Sequence, residues 1–112
     1  HTNFSTKTMR DVQLGKVEID RVIQALEANH AEHIKVYGAN LDQRLTGLHE
    51  TCDINTFKVG ESDRGASIRV PMATSDKGYG YLEDRRPGAN VDPYLVAARL
   101  LATICGYSFS NQ

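Results

Sequence analysis

The chain has 112 residues, 40% of them hydrophobic and 24% charged, a composition that fits one small globular domain and excludes a disordered chain. A net charge of -1 gives no basic field, so nucleic acid is not an expected partner. No apolar run approaches the roughly 20 residues that a membrane-spanning helix needs.

The first residues, His-Thr-Asn-Phe-Ser-Thr-Lys, form a polar run without a lead-in, which reads as a chain cut from a longer one. Residues 1–10 mix Ser and Thr with Phe4 and Met9 and suit an edge or half-buried strand. From Lys16 onward Val17, Ile19, Val22, Ile23, Leu26, His30 and Ile34 recur at helical spacing. This predicts a helix over about 16–28, further helical turns to about 36, and a stop at Tyr37-Gly38. Residues 38–65 are loop-rich and glycine-punctuated, and loops of that length in a small domain tend to be functional.

Ala66 to Val70 reads as a strand ended by Pro71. A turn over 74–78 then leads to a second strand, Tyr79 to Glu83, as a hairpin. Asp92-Pro93 opens the clearest helix, with Asp as N-cap and Pro at the first helical position. Leu95, Val96, Leu100, Leu101 and Ile104 are its expected buried face, Gly106 its end, and the tail from Tyr107 is polar. Cys52 and Cys105 are too few for a disulfide framework, and there is no signal-peptide pattern. A reducing cytoplasm is the expected setting. There is no internal repeat.

The chemistry concentrates in Gly78–Pro87, where Glu83 and Asp84 meet Arg85 and Arg86. Carboxylate oxygens suit a hard cation such as Mg²⁺ or Mn²⁺, and planar arginine forks suit phosphate or carboxylate oxygens. The plain alternative is a surface network in which these charges satisfy one another. Arg44, Arg64, Arg69, Arg85 and Arg86 make five of the eight arginines. On a loop-and-strand platform they suit phosphoryl transfer, where charge spreads over phosphate oxygens. Taken singly, each is more simply a solvated surface residue. His49-Glu50 reads either as a mobile acid/base tip or as an exposed turn. His30-x-x-His33 has metal-ligand spacing but no third ligand nearby, and reads as a structural or surface pair. His1, Asn3 and Ser5 alternate along a strand and so share a face.

Several segments in register resemble one family, the glutamine synthetases of eukaryotes and some bacteria. They are His1–Arg10, Arg44-Leu-Thr-Gly-Leu-His-Glu-Thr51, Asp53-Ile-Asn-Thr-Phe57, Asp63-Arg-Gly-Ala-Ser-Ile-Arg-Val-Pro71, Gly80-Tyr-Leu-Glu-Asp-Arg-Arg-Pro87, Asn90 and Asp92-Pro-Tyr94. The resemblance implies ATP-dependent ligation of ammonia to glutamate through a γ-glutamyl phosphate, with Mg²⁺ or Mn²⁺ as cofactor. By the same resemblance His1 and Glu83 are metal ligands, and Asn3, Ser5, Arg64 and Arg69 lie on the ATP side. Arg44, Arg64 and Arg85 match residues that bind glutamate and phosphate. Glu50, Arg69 and Arg85 match catalytic ones, Glu50 being a flap glutamate that helps deprotonate ammonium.

The implied fold is α+β: antiparallel strands forming part of a curved catalytic sheet, backed by amphipathic helices. Residues 1–112 then correspond to the C-terminal part of the catalytic domain. The N-terminal β-grasp domain and the first half of the catalytic domain would be absent, and the piece alone inactive. Its expected partners are that missing half and the neighbouring subunits of a ring-shaped homo-oligomer. Two rival readings are a catalytically dead binding or regulatory module and a glutamate–amine ligase that uses another amine.

Overall fold

The computed structural model describes residues 1–38, 41–48, 52–61 and 63–106. Its strands are β1 (Thr2–Phe4), β2 (Val59–Glu61), β3 (Ile68–Val70) and β4 (Leu82–Asp84). Its α-helices are α1 (Gly15–Ala28), α2 (His30–Ile34), α3 (Leu41–Arg44), α4 (Met72–Lys77) and α5 (Pro93–Cys105), with a 3₁₀ turn at Thr8–Arg10. The fold is α+β, with one open four-stranded sheet in the order β1-β4-β3-β2. β4 is antiparallel to both β1 and β3, whereas β2 and β3 are parallel, so the sheet is mixed.

Register decides which residues share a face. Asn3 stands opposite Glu83, Glu83 opposite Arg69, and Arg69 opposite Gly60. The neighbouring row runs Thr2, Asp84, Ile68, Val59 and lies on the other face, because side chains alternate along a strand. Leu82, Ile68 and Asp84 are fully buried there, and the helices pack over them. Ile19, Val22 and Leu26 from α1 meet Val96, Leu100 and Ile104 from α5, with Met9, Tyr37, Leu41 and Leu45 completing the core.

The helix at 16–28 is found as expected, and α2 continues the helical stretch to Ile34. α5 begins as the sequence dictates: the Asp92 side chain accepts from Tyr94 N at 2.9 Å and Pro93 takes the first helical position. Leu95 and Leu101 depart from expectation, being 48% and 50% exposed. The buried stripe runs through 96, 100 and 104, and each of these leucines is one residue away from it, about 100° around the helix. The expected strand over residues 1–10 is shorter, because the chain leaves the sheet after Phe4 and turns at Thr8–Arg10. The expected turn over 74–78 is the helix α4, ended by Gly78 in the left-handed region at φ 81°. β3 and β4 are therefore antiparallel neighbours joined by a helical connection, and β4 starts at Leu82. The glycine-rich stretch 38–65 contains α3 and β2, too short to leave a periodic signal. Cys52 and Cys105 are both free thiols. Among the described residues no helix is long and apolar enough to cross a membrane.

Candidate active site

Glu83 is the hub of the sheet face turned away from the helices. Arg85 Nη1 donates to its Oε1 at 3.0 Å, and Arg69 Nε lies 3.8 Å from the same oxygen. His1 Nδ1 lies 3.9 Å from Oε2. The strands place these groups: β1 brings His1 and Asn3 to one side of β4, and β3 brings Arg69 to the other. Arg85 continues beyond the end of β4, where its backbone nitrogen donates to Ser67 O at 2.9 Å. The cluster is half-buried, with the Glu83 side chain 19% exposed and that of Arg85 12%.

Two guanidiniums around one carboxylate leave positive charge and donors in excess. Among the described residues Arg69 Nε and Arg44 Nε are both buried with no hydrogen-bond partner. An orphaned buried donor is costly, and an anion with several oxygens would relieve it. Arg44, at the end of α3, reaches the cluster from the side, where its Nη2 donates to the backbone carbonyl of Arg86. Burial, and then the charge of Arg85, hold Arg44 below the ordinary arginine pKa.

The remaining expected site residues are more dispersed. Asn3 is exposed on β1 opposite Glu83. Ser5 lies past the end of β1 and accepts a hydrogen bond from Arg10 Nη1. Arg64 is exposed on the turn between β2 and β3. Its neighbour Asp63 titrates below the usual carboxylate range because Lys58 and Gly65 N hydrogen-bond to it, with a smaller contribution from Arg85. Glu50, with His49 and Thr51, lies outside the described residues, as do Asn40 and the tail from Tyr107. A cleft of about 230 Å³ beyond Ser5 is lined by Arg10, Lys77, Tyr79 and Tyr81, which sequence reasoning did not assign to the site.

The chain has clear relatives among known proteins. It is 60% identical over 104 residues to a chloroplastic glutamine synthetase of Chlamydomonas reinhardtii, covering 93% of this chain and 27% of the relative. It is 53% identical over 106 residues to the glutamine synthetase of Kluyveromyces lactis, and 51% identical over the same length to that of Saccharomyces cerevisiae. Each of these two alignments covers 95% of this chain and 28% of the relative.

The chain is a homologue of the glutamine synthetases. It spans little more than a quarter of the length of the curated relatives it matches. No protein-family model matches it.

In this glutamine synthetase homologue the largest feature missed from sequence lies behind the site. Asp84 and Arg86, 0% and 1% exposed, form a buried pair. Arg86 Nε donates to Asp84 Oδ1 and Nη2 to Oδ2, both at 2.9 Å, with Arg86 N to Oδ1 at 3.1 Å. Tyr37 Oη donates to Asp84 Oδ2 at 2.8 Å, so it must accept from His33 Nδ1–H at 2.6 Å. His33 Nε2 is then the acceptor for the Thr103 hydroxyl at 2.7 Å. On the other side Arg86 Nη1 donates to His30 Nδ1 at 2.8 Å, and His30 Nε2–H donates to Ile54 O at 2.8 Å. Burial, reinforced by Arg86, lowers the His33 pKa to about 3, so the ring is neutral. The His30-x-x-His33 pair is structural, as its spacing without a third ligand suggested.

The signal for the pair was present in the sequence. Alternation along β4 sends Leu82, Asp84 and Arg86 inward and Glu83 and Arg85 outward. Asp84 and Arg86 satisfy one another in the core rather than at the surface, and Glu83 and Arg85 pair on the opposite, half-open face.

His1 Nδ1 and Glu83 Oε2 suit a divalent cation as a partial set. A nitrogen and a carboxylate oxygen 3.9 Å apart can both reach one ion at bonds of about 2.1 Å. Among the described residues no group of three or more such ligands occurs, so this pair supplies only part of a coordination shell.

Proposed function

We propose that the chain forms the phosphate-handling wall of a glutamine synthetase active site. The reaction is ATP-dependent phosphorylation of the glutamate side-chain carboxylate, followed by displacement of phosphate by ammonia. One observation carries the reading: the guanidiniums of Arg69 and Arg85 flank Glu83, Arg44 approaches alongside on the Arg86 carbonyl, and Arg69 and Arg44 keep buried Nε donors without a partner among the described residues. Such a cluster matches the oxygens of a transferring phosphoryl group and the acyl phosphate it forms.

Arg85 is held by Glu83 and Ser67 so that its remaining donors face the site, where it stabilises negative charge on the phosphoryl oxygens. Arg69 shares that charge on the ATP side. Arg44 and Arg64 hold the glutamate carboxylates and the phosphate. Asn3 and Ser5 line the nucleotide side, and the adjoining cleft adds two cations, Arg10 and Lys77, and two rings, Tyr79 and Tyr81, suited to phosphate and base. His1 and Glu83 would hold Mg²⁺ or Mn²⁺, which when bound neutralises nucleotide phosphate charge. Glu50 acts as the closing flap and as the base toward ammonium.

The chain corresponds to the C-terminal part of the catalytic domain. Its partners are the remaining length of the enzyme and neighbouring subunits of a ring-shaped homo-oligomer. A reducing compartment suits the two free thiols; the cytoplasm is such a setting, and the Chlamydomonas relative is chloroplastic by name.

The test is glutamine formation by the full-length enzyme that contains this segment, with Glu83→Ala and Arg85→Ala as variants. Both are expected to lose biosynthetic turnover by at least about a hundredfold. Near-parental turnover in either would remove that residue from its role.

A further inference from the structure

We infer that Tyr37 is a positioning residue for Arg85, an inference that rests on the ligase reading above. Tyr37 is fully buried in the core cluster behind the sheet. It nevertheless anchors the stretch that presents Arg85 at both ends. Its hydroxyl donates to Asp84 Oδ2 at 2.8 Å, and its backbone carbonyl accepts from Gly88 N at 2.8 Å. Arg85 lies between those two points, and the Arg86 guanidinium packs over the Tyr37 ring with 5.2 Å to its centroid.

The hydroxyl is itself fixed from outside. His33 Nδ1 reaches it at 2.6 Å, and Thr103 on α5 orients His33 from the far nitrogen at 2.7 Å. A line of hydrogen bonds thus runs from α5 through α2 to the end of β4. Buried polar chains of this kind cost desolvation that apolar packing would avoid, and what they provide is a single geometry. Arg85 needs one, since displacement of a phosphate-handling guanidinium by an ångström is expensive in rate.

Tyr37→Phe removes only the hydroxyl. The ring stays under Arg86, and Asp84 keeps both bonds from the Arg86 side chain. In the full-length enzyme carrying this segment, kcat per folded active site should fall about tenfold, with the KM for glutamate changed less than about threefold. The effect should be less than multiplicative with that of Arg85→Lys, because Tyr37 acts through Arg85. An unchanged kcat, or strictly multiplicative effects, would overturn the inference and leave Tyr37 a packing residue. If Tyr37→Phe does not fold, Thr103→Val cuts the same line at its outer end. It should lower kcat about threefold in the same less-than-multiplicative way, and no change in kcat there would overturn the inference equally. Absence of glutamate-dependent ATP turnover in the parent enzyme would sink the ligase reading and this inference together. Turnover in the parent with an unaffected variant sinks this inference alone.

Discussion

Glu83 and Asp84 are consecutive carboxylates with opposite surroundings. Glu83 faces His1, Arg69 and Arg85 on the half-open side of the sheet, whereas Asp84 is closed off from solvent between Arg86 and Tyr37. The strand pleat alone separates the two environments. One carboxylate is therefore available for chemistry and the other for architecture, and their substitution phenotypes should divide in the same way.

Arg86→Leu is expected to destabilise the fold by about 3–5 kcal/mol, because it leaves the Asp84 charge buried without its guanidinium. Urea denaturation of the variant measures this. A loss below about 1 kcal/mol would mean that the pair contributes little to holding the fold.

Glu83→Gln should act differently. The amide keeps the size and much of the packing but gives up a charged ligand. Thermal stability should change little, while the Mg²⁺ or Mn²⁺ concentration for half-maximal activity of the full-length enzyme rises at least about tenfold. An unchanged metal dependence would take Glu83 out of the ligand set.

Acid should weaken the fold as soon as the pH falls below the ordinary histidine range. His33 has a pKa near 6.5 when unfolded and about 3 in the fold, because burial and then Arg86 disfavour its charged form. The unfolded chain therefore binds the proton first. The stability this group contributes is fully present above pH 6.5 and is lost as pH falls from there toward about 3. The maximal slope is about 1.4 kcal/mol per pH unit. His30 is also lowered, chiefly by burial, and adds in the same direction. Denaturation midpoints between pH 7.5 and 5, compared with those of His33→Gln, isolate the effect; equal slopes in the two proteins would exclude it.

The N-cap of α5 offers a local test. Asp92→Ala removes the bond to Tyr94 N and should cost about 1 kcal/mol, read as a lowered denaturation midpoint with unchanged m. Asp92→Asn should recover most of it.

What the sequence made legible follows from signal length. α1 and α5 are 14 and 13 residues long, enough for an apolar stripe to repeat, and both are found where the spacing put them. The strands are three residues each, and α3 is four, so neither period has room to show. Leu95 and Leu101 misled because hydrophobicity alone does not say which side of a stripe faces the core. The convergence of His1, Arg69, Glu83 and Arg85 depends on β1 and β3 flanking β4 from distant parts of the chain. No local pattern encodes that pairing, and aligned family motifs were the feature that pointed to it. The Asp84–Tyr37–His33–Thr103 line escaped notice because its members are 47 and 70 residues apart across its two long-range links.

The alternation along β4 also makes this stretch intolerant of changes in length. A one-residue insertion or deletion between Asp84 and Arg85 would shift the parity of every side chain after it. Arg85 would turn toward the helices, and Arg86 would leave Asp84 for the open face. Point substitution can adjust these residues one at a time, but a single-codon length change exchanges their roles wholesale. Variant libraries across 82–86 should therefore yield functional members only where the spacing is kept.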